Sequence, residues 1–248
     1  MMTSPVGTLY GVGLGPGDPD LVTIKAHRLV TSCPVVAYFR KRGRPGHART
    51  IVKDMLPPDG FVELALEYPV TTEVAFKEEG YVEPIRAFYA DSANVLRAHL
   101  DAGRDVALLC EGDPFFYGSF LHMYDRLRAD YRVTVVPGIT GMSGCWTAAA
   151  APITYGDDVL TILPGTLPAD ALIERLGKTD AAVIMKVGRN LEKIKAALQA
   201  AGRLNEAIYV ERGTMAGERV VPLAALDHSP APYFSIILLP GGRGRRIK

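Results

Sequence analysis

Glycines recur at alternate positions in GVGLGPGDPD, at Gly11, Gly13, Gly15 and Gly17, where a short apolar stretch ends. Lacking Cβ atoms, such a segment can turn sharply and let a ligand approach the backbone. As a dinucleotide fingerprint it fails, because a GxGxxG frame puts Pro16 or Asp18 where the third glycine belongs. It also lacks the Lys and Ser/Thr of a phosphate clamp, and Asp18 and Asp20 would repel phosphate. Taken alone, the segment reads equally well as a plain turn. In the second segment, CEGDPFFYGS, Glu111, Gly112, Asp113 and Pro114 directly follow the apolar run VALL. That is the carboxyl end of an expected strand, where open α/β sheets place their ligand crevices. Asp113 can accept hydrogen bonds, face a positive charge, or cap a helix starting near Phe115. Glu111 is a base or a carboxylate held in structural hydrogen bonds. The third segment, VVPGITGMSG, again follows a strand and offers the hydroxyls of Thr140 and Ser143. Three glycine-rich loops at strand ends of one domain point to a shared pocket.

A basic stretch, Arg40, Lys41, Arg42, Arg44 and Arg49 with His47 among them, offers guanidinium forks of the kind that bind carboxylates in pairs. The alternative is a solvated basic loop. Arg189 and Arg212 are further candidates, whereas the terminal GRGRRIK reads as a frayed tail. His27, His99 and His122 fall on helical stretches and read as structural, and Trp146 as packing. Cys33, Cys110 and Cys145 show neither CxxC pairing nor a nearby His at ligand spacing. They are expected to be small buried hydrophobes, with no disulfide framework and no metal site.

The elements that must position these groups alternate. Thr8 to Gly13 predicts a strand, an amphipathic helix follows from near Asp20, and Val35 to Phe39 is a second strand. Arg40 to Arg49 breaks the pattern as a loop. Glu73 to Leu100 reads as one or two helices interrupted by Gly80 and Pro84, then Asp105 to Leu109 as a strand. Tyr117 to Arg128 has helical spacing, and Arg132 to Val136 is a strand closed by Pro137 and Gly138. After a small-residue helix, Gly141 to Ala150, strand-like runs recur at Val159 to Leu163, Ala182 to Lys186, Ala207 to Glu211 and Tyr233 to Leu239. The fold class is α/β in two domains, residues 1–138 and 139–248, in keeping with a chain of 248 residues against a usual domain of ~100–200.

The 28 basic and 27 acidic residues nearly cancel, so the global positive field of a nucleic-acid binder is excluded. No run reaches the roughly 20 apolar residues of a membrane span, and MMTSPVGTLYGVGLG has no charged leader. A cytoplasmic protein is expected.

With those loops in place, GVGLGPGDPDLVTIKA, EGDPFFYGS and VVPGITGMSG, in that order, resemble the signature of the tetrapyrrole methylases, a likeness running from about Leu9 to Leu239. LYGVGLGPGDPDLVTIKA, AYFRKRGRPGHART, VIMKVGRN and YVERGTM are most similar to the branch that methylates the C(20) meso carbon of precorrin-2. The resemblance implies two αβα domains with S-adenosylmethionine in the cleft between them, and a homodimer. Carried onto this chain, it assigns Pro16, Gly112, Asp113, Phe116, Thr140, Gly141, Met185, Lys186 and Gly213 to the methyl donor. The polycarboxylate tetrapyrrole would then meet Arg40, Arg42, Arg44 and Arg49, with no metal required. A cobalt-loaded substrate methylated at the same carbon, and a non-catalytic nucleotide-binding module, are the competing readings.

Overall fold

The computed structural model describes residues 6–69, 82–226 and 231–242. The chain forms two compact units, Met1–Thr140 and Gly141–Lys248. The first runs β1 (Leu9–Gly13), α1 (Ile24–Ser32), β2 (Val35–Lys41), α2 (His47–Ile51), β3 (Val62–Tyr68), α3 (Val82–Asp101), β4 (Val106–Cys110), α4 (Phe120–Leu127) and β5 (Val133–Val136). Its sheet has the order β3-β2-β4-β1-β5 with every pairing parallel. A parallel sheet covered on both faces needs strands apolar throughout, and the wholly buried VALLC of β4 meets that demand. Val106, Leu108 and Cys110 pack on one face with Leu96 of α3 and Phe120 and Met123 of α4. Ala107 and Leu109 pack on the other with Ala26 and Val30 of α1 and Ala48 of α2.

Several expected boundaries shift for local reasons. Asp18, Pro19 and Asp20 look like a helix start, but the Asp18 side chain caps only a 3-10 turn, Pro19–Leu21. The helix itself begins at Ile24, where the Thr23 hydroxyl accepts from Ala26 N at 3.1 Å. The basic stretch is not one loop: Arg40 and Lys41 finish β2, and His47 opens α2. Strand β3 was not expected. The helix expected from Glu73 is described from Val82, with Pro84 tolerated in its first turn, and residues 70–81 lie outside the described residues. The helix expected from Tyr117 begins instead at Phe120.

The second unit runs α5 (Gly141–Ala148), β6 (Leu160–Pro164), α6 (Ala169–Lys178), β7 (Ala181–Met185), α7 (Leu191–Ala200), β8 (Ile208–Glu211), β9 (Arg219–Pro222) and β10 (Ser235–Leu239). Its sheet, β6-β7-β10-β8-β9, is mixed, because β10 runs antiparallel to both β7 and β8. Leu172 and Leu176 of α6 and Ile194 and Leu198 of α7 fill the core on one face. Cys145 of α5 packs on the other, with Trp146 against it as expected. Strand β9 was not expected, and residues 243–248 of the terminal basic run lie outside the described residues. All three cysteines are buried and free. Among the described residues, no helix is long and apolar enough to cross a membrane.

Candidate functional site

In the first unit α1 and α2 pack on one face of the sheet and α3 and α4 on the other. The loops after β1 and β4 lead to α1 and α4 on opposite faces of the sheet, although the two strands are neighbours. A crevice opens at the carboxyl ends of such a strand pair. Gly13 lies beside Cys110 and Val12 beside Val136, so the three glycine-rich loops leave the sheet level with one another. Their backbones touch. Leu14 N donates to Cys110 O at 2.9 Å and Gly112 N to Gly15 O at 2.8 Å. A Cβ on Gly13 would lie 2.5 Å from Gly138 N and 2.8 Å from Gly112 O, and one on Gly138 would strike Gly112 O and the Gly13 backbone. The expectation that these missing Cβ atoms leave room for a ligand is therefore corrected at Gly11 and Gly13. The space is taken by the Phe120 ring and by the neighbouring loops. Gly15, at φ 81°, and Gly17, at φ 144°, serve the turn itself.

Asp113 fastens the loops. Its Oδ1 accepts from Phe115 N at 2.9 Å and its Oδ2 from Gly138 N at 3.1 Å. The carboxylate thus does the local capping considered from sequence and also bridges the β4 and β5 loops. Each oxygen keeps a further acceptor position. Pro16 is buried behind Gly15, Phe116 N donates to Asp113 O at 3.1 Å, and Thr140 and Gly141 lie part-exposed where the third loop runs into α5. Glu111 is exposed as a residue, and desolvation at its carboxyl raises its pKa. Its Oε1 accepts from Ala48 N at 3.0 Å. The three loops hold Asp18, Asp20, Glu111 and Asp113 and no Lys or Arg, a set of donors and acceptors that fits a cationic sulfonium and disfavours phosphate.

The basic stretch leaves the same sheet edge one strand further along, since β2 neighbours β4. Three of its four arginines face carboxylates of the edge strand. Arg40 Nε and Nη2 donate to Glu67 Oε1 at 2.9 and 2.6 Å, and Arg42 Nε lies 3.8 Å from Glu67 Oε2. Arg49 Nε donates to Glu63 Oε1 at 3.1 Å, and the Tyr38 hydroxyl donates to the same oxygen at 2.6 Å. The Arg49 hydrogen bond, with that of Tyr38, holds the Glu63 carboxyl below its ordinary pKa despite some desolvation. Tyr38, Arg40, Arg49, Lys53 and Glu63 line an open hollow of about 440 Å³. Arg44 is exposed in the turn. The acidic partners Glu63 and Glu67 were not singled out from sequence. Their signal is the alternation in VELALEY, which places both on one face of β3.

In the second unit, β7 and β8 both pair antiparallel with β10, and Ile184 and Tyr209 face the same residue, Ile237. Their carboxyl ends therefore emerge level, beside that of β6, which is parallel to β7. Gly165, not singled out from sequence, donates from its backbone N to Met185 O at 2.6 Å. A Cβ there would lie 3.1 Å from both Met185 O and Lys186 O. Gly213 packs on α5, where a Cβ would meet Cys145 Sγ at 2.8 Å. Lys186, Arg212 and Thr214 all have positive φ, 56°, 51° and 67°, and Thr214 Oγ1 is buried with no hydrogen-bond partner among the described residues. Arg189 and Arg212 are exposed. A second hollow, between Thr161, Glu174 and Lys178, opens near the amino ends of β6 and β7, on the edge away from these residues.

A sequence profile of the Tetrapyrrole (Corrin/Porphyrin) Methylases matches residues 8–227. A precorrin-2 C(20)-methyltransferase of Sinorhizobium sp. is 53% identical over 97% of this chain and 98% of its own. A cobalt-precorrin-2 C(20)-methyltransferase of Salmonella typhimurium is 29% identical over 94% and 96% of the two chains. Among solved structures, a uroporphyrin-III C-methyltransferase from Thermus thermophilus complexed with S-adenosylhomocysteine shares the fold. Its TM-score is 0.64 at 23% identity, covering 94% of this chain and 92% of that one.

Proposed function

The chain belongs to the tetrapyrrole (corrin/porphyrin) methylases, and from that premise we propose that it transfers the methyl group of S-adenosylmethionine to the C(20) meso carbon of precorrin-2, giving precorrin-3A for cobalamin synthesis. The observation that carries the reading is the edge of the first sheet. An acidic, lysine-free set of loops at the β1/β4 crevice lies beside an arginine-rich segment one strand away. The first suits a cationic methyl donor and the second a polycarboxylate acceptor.

The donor supplies an activated methyl on a sulfonium, so the protein's task is to hold an electron-rich carbon in line with it at ~3–3.5 Å. The electron pair of the acceptor's enamine-like system forms the new C–CH3 bond. The S–CH3 pair returns to sulfur as a neutral thioether, and a proton then leaves the methylated macrocycle. In this reading Pro16, Gly112, Asp113, Phe116, Thr140 and Gly141 take up the donor, and Met185, Lys186 and Gly213 are the second unit's contribution to its binding. Arg40, Arg42, Arg44 and Arg49 receive the acetate and propionate groups. Glu63 and Glu67 hold three of these guanidiniums in place, which lowers the entropy lost when the substrate binds. The metal-free substrate is preferred over the cobalt-loaded one because the relative acting on precorrin-2 is 53% identical and the cobalt-precorrin-2 relative 29%. The proposal includes a homodimer, as the family resemblance implies, placed in the cytoplasm and without a metal of its own.

The test is anaerobic incubation of the purified protein with methyl-labelled S-adenosylmethionine and enzymatically made precorrin-2. One labelled methyl at C(20) is expected. Methylation of the cobalt-loaded macrocycle alone would overturn the choice of substrate, and binding of the donor without transfer to either would overturn the assigned reaction.

A further inference from the structure

Strand β4 separates two chemistries. On one side lies β1, whose loop meets Gly112, and on the other lies β2, from which the basic segment departs. Tyr38 pairs with Leu109, so two residues further on Arg40 is level with Glu111 at the end of β4. After Lys41 the chain turns, with Arg44 N donating to Lys41 O at 3.0 Å, and comes back onto β2 at Gly46. There a Cβ would lie 2.5 Å from the Tyr38 ring and 3.0 Å from Phe39 O, so the return needs a glycine. Helix α2 begins at the next residue, and Glu111 Oε1 accepts from the backbone N–H of Ala48 in its first turn, 3.0 Å away. Ala48 itself is 1% exposed. Glu111 therefore grips the backbone of the basic segment, whereas Glu63 and Glu67 grip its side chains. Removing it would leave those guanidinium pairs and the packing of Ala48 intact and take away the side chain that ties the start of α2 to the loop after β4.

We infer that Glu111 is a positioning residue for the methyl transfer: its hydrogen bond to Ala48 N fixes the basic segment in register with the loops beside Gly112 and Asp113. The inference rests on the methyl-transfer reading for its substrate. It assigns Glu111 an effect on capture of the tetrapyrrole, with no proton transfer to or from the reacting carbon. Gln can still accept from Ala48 N through its amide oxygen, and Ala cannot.

The experiment compares wild type, Glu111→Ala and Glu111→Gln in two ways: KM and kcat for each substrate in the complete anaerobic assay, and amide exchange at Ala48. Loss of one hydrogen bond to a charged group corresponds to a change of roughly tenfold or more, so Glu111→Ala should raise KM for precorrin-2 by about that factor. Because interactions made only in the transition state are untouched, kcat should stay within about threefold. Exchange at Ala48 should quicken in Glu111→Ala, and Glu111→Gln should recover both the KM and the protection. The inference is overturned if Glu111→Ala leaves both the precorrin-2 KM and the Ala48 exchange unchanged. It is also overturned if Glu111→Gln loses kcat while keeping Ala48 protected, the mark of a proton-transfer group. Should Glu111→Ala not fold, the Gln variant alone decides by the same two readouts. A wild type that turns over no tetrapyrrole would count against the methyl-transfer reading, leaving amide exchange to judge the contact.

Discussion

At the edge of the first sheet the residues with positive φ that directly follow β1 and β4 are glycines, Gly15 at 81°, Gly17 at 144° and Gly112 at 64°, with Tyr117 at 55° the one side chain so placed, further along the β4 loop. At the matching edge of the second sheet they include Lys186 at 56°, Arg212 at 51° and Thr214 at 67°. Left-handed backbone costs an L-residue roughly 1–2 kcal/mol, and for β-branched Thr214 it is an outlier. The first unit uses glycine because three backbones must touch, and a Cβ at Gly13 or Gly138 would collide with the neighbouring loop. In the second unit little would prevent glycine, yet side chains are kept where the local rule disfavours them. Such breaches concentrate at working sites. The first edge is thus built by packing, and the second holds its side chains against conformational cost.

That contrast can be broken most forcefully at Gly138. Gly138→Ala drives a Cβ into Gly112 O and the Gly13 backbone, where nothing flexible can yield. Overpacking of this kind costs about 1–3 kcal/mol or more, and a clear fall in the thermal midpoint with loss of measurable S-adenosylmethionine binding is expected. Asp113→Ala comes next. It removes the acceptors for Phe115 N and Gly138 N, and at ~1.5–3 kcal/mol for a hydrogen bond to a charged group the donor affinity should fall at least tenfold. Calorimetric titration checks it. In the second unit the sign of the stability change should reverse. Thr214→Gly relieves the positive φ and deletes a buried hydroxyl that has no partner among the described residues, so the protein should gain about 1 kcal/mol while donor affinity drops. A simple loss of stability there would show that Thr214 is packed for the fold alone. The smallest effect concerns reactivity. Burial pushes the Cys33 thiol up to about 11 and the Cys145 thiol up to about 12, so both stay protonated at about pH 8. Neither should be alkylated by iodoacetamide in the folded protein, as intact mass will report.

Much of this was legible in the sequence because central strands announce themselves. VALLC and SIILL are mostly apolar on both faces and followed closely by glycine or proline, so they could be placed within two residues. The two strands that were not foreseen, β3 and β9, are the edge strands of their sheets. An edge strand is short or carries charge, as VELALEY and RVVP do, and its apolar run is weak. The start of α1 misled for another reason: Asp18-Pro19-Asp20 is a sound helix-opening signal that the chain uses for a single turn. At the candidate site, the glycine loops and Asp113 stood out by type and position. Glu63 and Glu67 did not, because their pairing with Arg49 and Arg40 spans 14 and 27 residues and depends on a strand register that local pattern does not reveal. The role of Glu111 was open between base and structural carboxylate until Ala48 N was found against it.

Amide exchange with and without S-adenosylhomocysteine tests the central claim, that the loops at the first sheet's carboxyl edge hold the methyl donor. The account predicts slower exchange on binding at Gly112, Asp113, Phe116, Thr140 and Gly141, with Met185, Lys186 and Gly213 also affected. Binding that leaves the five first-named amides unchanged would contradict it, and would reduce the glycine-rich loops to a packing device.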